Sequence, residues 1–217
     1  MSNLKLVIAN KAYSSWSLRP WLLMKQAGID FEEIRIPLHQ AGTRNAILNY
    51  SPAGRVPVLL DDNLTIWDSL AIAEYLAEKF PQKNLWPRDA AMRARARSIG
   101  AEMHSGFSAL RTSMQMNVRK KIPGRVQSAE VAADIARIDA MWTECRVAHG
   151  NGGPFLFGQF CIADAMYAPV ATRFRTYSVA LSQPAQTYAD HILGMPAMQA
   201  WVRDAQTETE VIAHYEI

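Results

Sequence analysis

The chain has little of what several function classes require. It has two cysteines in 217 residues, Cys145 and Cys161, and they stand in no Cys-x-x-Cys and in no spacing that gathers metal ligands. This argues against dithiol exchange, a disulfide framework and a cysteine-based metal site, and so few thiols fit a reducing compartment. No apolar run approaches the ~20 residues of a membrane span. Met1-Ser2-Asn3 leads directly into a short strand pattern, where a leader would have a basic region and then a long apolar one. A soluble, cytoplasmic protein without a membrane partner is the expectation. Charge of one sign is scarce too: 23 Lys and Arg against 20 Asp and Glu leave +3, too weak a field to draw nucleic acid. The densest basic stretch, Arg119-Lys120-Lys121-Ile122-Pro123-Gly124-Arg125, contains Pro-Gly and reads as a solvated connection between helices. Internal repeats, low-complexity tracts and nucleotide-binding signatures are absent.

What is present is an ordinary globular composition, 49% hydrophobic and 20% charged, in a chain long enough to build a core without staples. Residues 4–9 read as a strand. Leu18 to Ala27 has helical spacing and stops at Gly28, a C-terminal cap. Phe31 to Ile36 reads as a second strand and Thr43 to Asn49 as a short helix. The run 56–60, Asp61-Asp62-Asn63 and Leu64 to Trp67 outline a hairpin. Asp68 then opens a helix whose Leu70, Ala73, Leu76, Ala77 and Phe80 share one face. This order predicts a small α/β unit with helices on a mixed sheet over residues 1–80. A proline-bounded connector follows at 81–88. From 89 to 217 the pattern is helical, with helices predicted over 89–118, 127–148, 162–180, 184–193 and 195–206, a bundle.

Three short segments carry the chemistry. Ser14-Ser15-Trp16-Ser17 lies between the first strand and the first helix, where a helix N-terminus offers N–H donors and a positive partial charge to an anion. Pro20 is comfortable only in a first turn, so the helix is expected to begin near Ser17, with Ser14 and Ser15 in the loop ahead of it. Serines there also serve simply as caps. In Arg55-Val56-Pro57-Val58, the proline cannot donate to a sheet ladder and belongs at a strand start or edge, which frees the backbone of Val56 to pair with an extended ligand. Asp68-Ser69 opens a helix. Besides capping it, the pair suits a group that presents an ammonium and a carboxylate side by side, Asp68 facing the first and Ser69 the second.

The layout and these motifs together resemble the cytosolic glutathione transferase superfamily over essentially the whole chain, and the serine motif looks most like its zeta class. The resemblance implies an N-terminal thioredoxin-like domain with a mixed four-stranded sheet, followed by a C-terminal helical bundle domain. It implies glutathione as cosubstrate with no metal, and a homodimer. It implies that Ser14, with Ser15 as possible substitute, donates a hydrogen bond to the glutathione sulfur. The Val56–Pro57 bond would be cis, with Val56 pairing with the cysteinyl backbone. Asp68 and Ser69 would hold the γ-glutamyl end, and Gln40 and Arg55 the glycine end. Gly158-Gln159-Phe160-Cys161-Ile162-Ala163-Asp164 matches a structural motif of the helical domain, in which Asp164 completes a capping box and Cys161 replaces the usual Ser or Thr. Trp16 departs from the cysteine that zeta isomerases carry there and narrows the space beside the sulfur. The opposite wall, for the second substrate, is expected from His104, Phe107, Ser108 and Arg111 on one face of the long helix after residue 89. Arg111 or the basic tip at 119–125 would attract acidic acceptors. The expected reaction is attack of the glutathione thiolate on a small hydrophobic electrophile. A glutathione-dependent isomerase of maleylacetoacetate-isomerase type, a peroxidase, or a non-catalytic interaction module are the alternatives.

Overall fold

The computed structural model describes residues 4–124 and 128–216, so Arg125 of the basic stretch lies outside the described residues. The first part of the chain runs β1 (Leu4–Ile8), α1 (Ser15–Gln26), β2 (Glu32–Arg35), α2 (Thr43–Leu48), β3 (Val58–Asp61), β4 (Leu64–Trp67) and α3 (Ser69–Lys79). Strand order is β2-β1-β3-β4. β1 is parallel to β2 and antiparallel to β3, and β3 is antiparallel to β4, which makes the four-stranded mixed sheet. Alternation along β1 sends its side chains to opposite faces. Leu4, Leu6 and Ile8 enter the large core with Leu18 and Leu22 of α1 and Ile72 and Leu76 of α3, while Val7 joins Val58, Ile36 and Ile47 on the face covered by α2. β3 starts only after Pro57, as a residue without an N–H requires.

α1 begins two residues earlier than Pro20 suggested. Ser14 is its N-cap, accepting from the N–H of Ser17 at 3.3 Å, so Pro20 sits in the second turn and is tolerated within a helix that is buried from Ser17 to Met24. At its other end Gly28, at φ +60, carries a Schellman close, with Gly28 N–H on Lys25 C=O and Ile29 N–H on Met24 C=O.

The rest is α4 (Ala90–Ser105), α5 (Ser108–Ser113), α6 (Ala129–His149), α7 (Ile162–Tyr177), α8 (Gln183–Gly194) and α9 (Pro196–Thr207). The single helix expected over 89–118 is therefore broken. Gly106 approaches so closely that a Cβ there would lie 2.7 Å from the carbonyl oxygen of Glu102, and Phe107 turns to φ +55 to bury its ring. Asp134 of α6 holds the restarted helix by accepting from Leu110 N–H at 3.0 Å. α7 is the buried axis of this half, and Trp142 of α6 meets Tyr167, Phe174 and Tyr188 edge-on. Each such contact contributes about 0.5–1.5 kcal/mol beyond area burial.

Asp164 has the folding role expected of it. Its carboxylate accepts from Cys161 N–H at 2.8 Å and Leu156 N–H at 3.0 Å, and burial outweighs those bonds to push its pKa up to about 6. α1 packs directly on α7, which joins the two halves beside the serine motif. After α9 the chain folds back over that junction. The Glu208 carboxylate accepts from Lys11 N–H and Ala12 N–H, and Asn117 donates to the Tyr215 carbonyl.

Candidate active site

A cavity of about 550 Å³ opens where the β3 approach, the start of α3 and the end of α4 converge, with Val56, Pro57, Asp68, Ser69, Arg55 and His104 on its walls. Asp68 caps α3, accepting from Leu70 N–H at 2.9 Å, from a backbone conformation at φ +75 that few residues other than glycine adopt. His104 Nε2 lies 3.0 and 2.8 Å from its two oxygens. Burial acts to raise the Asp68 pKa, but the bonds from His104 and Leu70 outweigh it and hold the carboxyl below its ordinary range. Ser69 is 1% exposed and its hydroxyl has no hydrogen-bond partner among the described residues, a cost of about 1–3 kcal/mol for a buried polar group unless a ligand meets it. The Val56–Pro57 bond is cis, and among the described residues the backbone of Val56 makes no hydrogen bond. A carboxylate, an unmet hydroxyl at a helix start and an unpaired peptide unit thus face one space, complementary to the zwitterionic end and extended backbone of a peptide.

Trp16 lines this cavity and also a second one, of about 310 Å³, whose walls include Tyr13, Ser14, Ser15, Arg111, Arg173 and Tyr215. The two serines differ. Ser14 donates its hydroxyl to Ser17 Oγ at 2.9 Å while it caps α1. Ser15 Oγ accepts from Arg173 Nη2 at 3.2 Å, which leaves its own proton free to donate into the cavity. Arg173 is 4% exposed and fixed by bonds from Nε to the Met114 carbonyl and from Nη1 to the Pro169 carbonyl. Arg19, 1% exposed, lies 4.2 Å from the Trp16 ring, its three guanidinium nitrogens without a hydrogen-bond partner among the described residues, and Arg111 approaches that ring at 5.3 Å. Burial, with repulsion from the neighbouring guanidinium groups, lowers the pKa of Arg19 to about 9 and of Arg173 to about 10, so both stay cationic at neutral pH. Among the described residues, no Asp or Glu lines this second cavity.

The residues expected to act together are thus redistributed. Arg55, Val56, Pro57, Asp68 and Ser69 share the first cavity, but Gln40 is exposed and lines neither. Of the four residues expected on one helical face, only Arg111 lines the second cavity. His104 reaches the first cavity instead, Phe107 is core and Ser108 is exposed at the start of α5, because the break at Gly106–Phe107 turns them apart. The sequence reading missed Arg19, Arg173, Tyr13 and Tyr215. A charged residue inside an otherwise apolar helical face, as at Leu18-Arg19-Pro20-Trp21 and Ala171-Thr172-Arg173-Phe174, was the available signal for the two arginines. Among the described residues no cluster of His, Cys, Asp and Glu could hold a metal ion, and no helix is long and apolar enough to cross a membrane.

A mixed sheet ending in this cavity and leaning on a helical half is the thioredoxin-like plus all-helical architecture. Residues 13–79 match the family model of the glutathione S-transferase N-terminal domain. The chain is 30% identical over 172 residues to the maleylacetoacetate isomerase of Mus musculus, covering 77% of this chain and 76% of that protein. A probable maleylacetoacetate isomerase of Caenorhabditis elegans is 34% identical over 110 residues, and there the match spans about half of each chain, 51%. Among solved structures, a glutathione transferase homolog from Burkholderia gl BGR1 with bound glutathione aligns with TM-score 0.72 at 23% identity, covering 96% of this chain and 100% of that one, a likeness of fold. The chain belongs to the glutathione S-transferase family.

Proposed function

We propose that this protein is a zeta-like glutathione transferase in which the first cavity holds the tripeptide and the second the acceptor. The observation that carries the reading is the unpartnered Ser69 hydroxyl beside the Asp68 carboxylate and the unpaired backbone of Val56. Ser69 meets the γ-glutamyl carboxylate, Asp68 its ammonium and Val56 the cysteinyl peptide unit, while Arg55 at the rim faces the glycine carboxylate. The sulfur then lies past Trp16, at the start of α1.

Of the two serines, Ser15 is the better donor to the sulfur, because the Ser14 proton is engaged by Ser17 and the Ser15 oxygen is polarised by Arg173. A hydrogen bond to an anion contributes about 1.5–3 kcal/mol. That is one to two pKa units, and at the upper end it ionises most of a thiol with an ordinary pKa of about 8.5 at neutral pH. The same shift lowers thiolate nucleophilicity by up to about eightfold, so most of the acceleration comes from holding the acceptor against the sulfur.

The acceptor cavity is not purely apolar. Arg111 and Arg173 on its wall, with no Asp or Glu among its described lining residues, favour an electrophile that carries an acidic group on an apolar body. The same arrangement supports a second reading, glutathione-dependent isomerisation of an acidic substrate, in which the thiolate adds and departs again. A cytoplasmic homodimer, as the resemblance implies, completes the proposal. Titration calorimetry with glutathione, followed by conjugation of a chlorodinitrobenzene-type acceptor and of an acid-bearing one, tests it. Binding with turnover is the expected result, and absence of binding heat removes both readings.

A further inference from the structure

Residues 208–212, after α9, form neither helix nor strand, so their backbone groups depend on side chains from elsewhere in the fold. Arg119 serves two of them. It donates from Nη1 to the Glu208 carbonyl at 2.8 Å and from Nη2 to the Glu210 carbonyl at 3.1 Å, and Nη2 also donates to the Tyr13 hydroxyl oxygen. Lys120 Nζ reaches the Glu216 carboxylate at 2.6 Å and the Glu216 carbonyl at 3.1 Å. These two residues open the basic stretch expected to attract acidic acceptors, and both are turned to the chain's own tail instead. Buried Asn117 adds a bond to the Tyr215 carbonyl at 3.0 Å, and the Tyr13 hydroxyl donates to Glu216 Oε1 at 2.5 Å. What these bonds hold in place is Tyr215, whose ring lies 5.2 Å from that of Tyr13 and which lines the second cavity.

We infer that Arg119 is a positioning residue that fixes the tail so that Tyr215 sets the size of acceptor the second cavity admits. The inference rests on the proposed seating of the acceptor in that cavity. Ser15, Arg111 and Arg173 reach the cavity from α1, α5 and α7, and helix packing sets where they stand. Tyr215 reaches it from a segment held by side-chain bonds, and such a wall stands only while those bonds are made. The planar guanidinium of Arg119 meets both tail carbonyls in one fixed geometry, which a single ammonium does not reproduce. With the tail pinned, Tyr215 closes one side of a cavity of about 310 Å³ and an acceptor that needs its place is rejected. With the tail released, larger acceptors enter and small ones are held less closely against the sulfur. The basic stretch thus contributes to selection by shape, where selection by charge was expected.

Steady-state conjugation of a nitrobenzyl halide and of the larger naphthylmethyl halide is the measurement. Both acceptors are neutral, and in both the carbon–sulfur bond forms as the carbon–halogen bond breaks and halide leaves, so a change in their kcat/KM ratio reports shape. Tyr215→Ala is expected to shift the ratio toward the larger acceptor on the order of tenfold, the discrimination that one misfitting group produces in an apolar pocket. Tyr215→Phe, which keeps the ring, is expected to restore the wild-type ratio. Arg119→Met is expected to shift the ratio in the same direction as Tyr215→Ala with KM for glutathione unmoved, and to add nothing in the Tyr215→Ala background, because both act on one wall. A loss of folding stability alone would lower both rates together and leave the ratio where it was. A ratio unmoved in Tyr215→Ala or in Arg119→Met overturns the inference and leaves the proposed function standing, and so does an Arg119→Met shift that persists beside Tyr215→Ala. Failure of the wild-type protein to conjugate either halide overturns the transferase reading, and the inference with it.

Discussion

The two cavities on either side of Trp16 are built in opposite ways. The first takes most of its polar groups from one short stretch, Arg55 to Ser69, where a proline, a helix cap and an unpaired peptide unit do the work with few long side chains. The second is assembled from Ser15 on α1, Arg111 on α5, Arg173 on α7 and Tyr215 near the end of the chain. Their charge differs as well: Asp68, in contact with His104, marks one and a pair of guanidiniums the other. On the proposed reading, recognition of a constant tripeptide is written in backbone geometry, while the variable substrate is left to side chains brought together by packing. Trp16 is the shared wall, close to Arg19 and to Arg111, so the cation-rich side and the peptide side meet at one indole.

The sharpest way to break this comparison lies at its boundary. Ser15→Ala is expected to lower kcat for conjugation by about a hundredfold, as removal of one anion-stabilising donor does elsewhere, with a small change in KM for glutathione. Ser14→Ala, which loses the α1 cap, is expected to cost about 1 kcal/mol of stability in denaturant unfolding and to keep turnover within a few-fold. The reverse pattern in steady-state kinetics would return the sulfur to Ser14. On the peptide side, Asp68→Asn retains a cap and tolerates the positive φ but has no charge for the ammonium. KM for glutathione is expected to rise by about tenfold or more, the weight of a charge-assisted bond, while kcat at saturating glutathione changes little. A fall in kcat with KM unmoved would place Asp68 outside the binding of the tripeptide.

The same division explains what the sequence disclosed. The sheet, the hairpin, the cap at Asp68 and the helical second half were legible because each rests on local signals such as alternation, a proline without a donor or a glycine at a helix end. Asp164 was expected as a cap through the family resemblance, and its carboxylate accepts from Cys161 N–H. The long helix after residue 89 was misread, because Gly106 is tolerated inside a helical pattern and only the burial of Phe107 and the reach of Asp134 reveal the break. Arg173 carried only the signal of a charge on an apolar helical face, and Tyr215 carried none. What qualifies them is proximity to Ser15 and Tyr13 across most of the chain, and proximity at that range is a product of packing. His104 was singled out from sequence as a neighbour of Arg111, but it lines the cavity of Asp68, a partner on another element.

The finest test concerns selectivity rather than rate. Arg111 is part buried, lines the second cavity and donates to the His104 carbonyl, but it makes no bond to either serine among the described residues. Arg111→Met keeps the apolar stem against Trp16 and removes the charge, so an acceptor with a carboxylate loses an ion pair that a neutral acceptor of the same shape never had. A part-exposed charge contact is worth about 1 kcal/mol or less, so the expected change is a factor of up to about five in the kcat/KM ratio between the two acceptors, with glutathione affinity preserved. Arg173 confounds the same experiment because it also polarises Ser15, and its removal would depress both acceptors together. An unchanged ratio in Arg111→Met would mean that the acid-bearing acceptor is not bound by this wall, and the contrast between a peptide cavity marked by a carboxylate and an acceptor cavity marked by guanidiniums would then describe the protein's own charge balance, without bearing on its substrates.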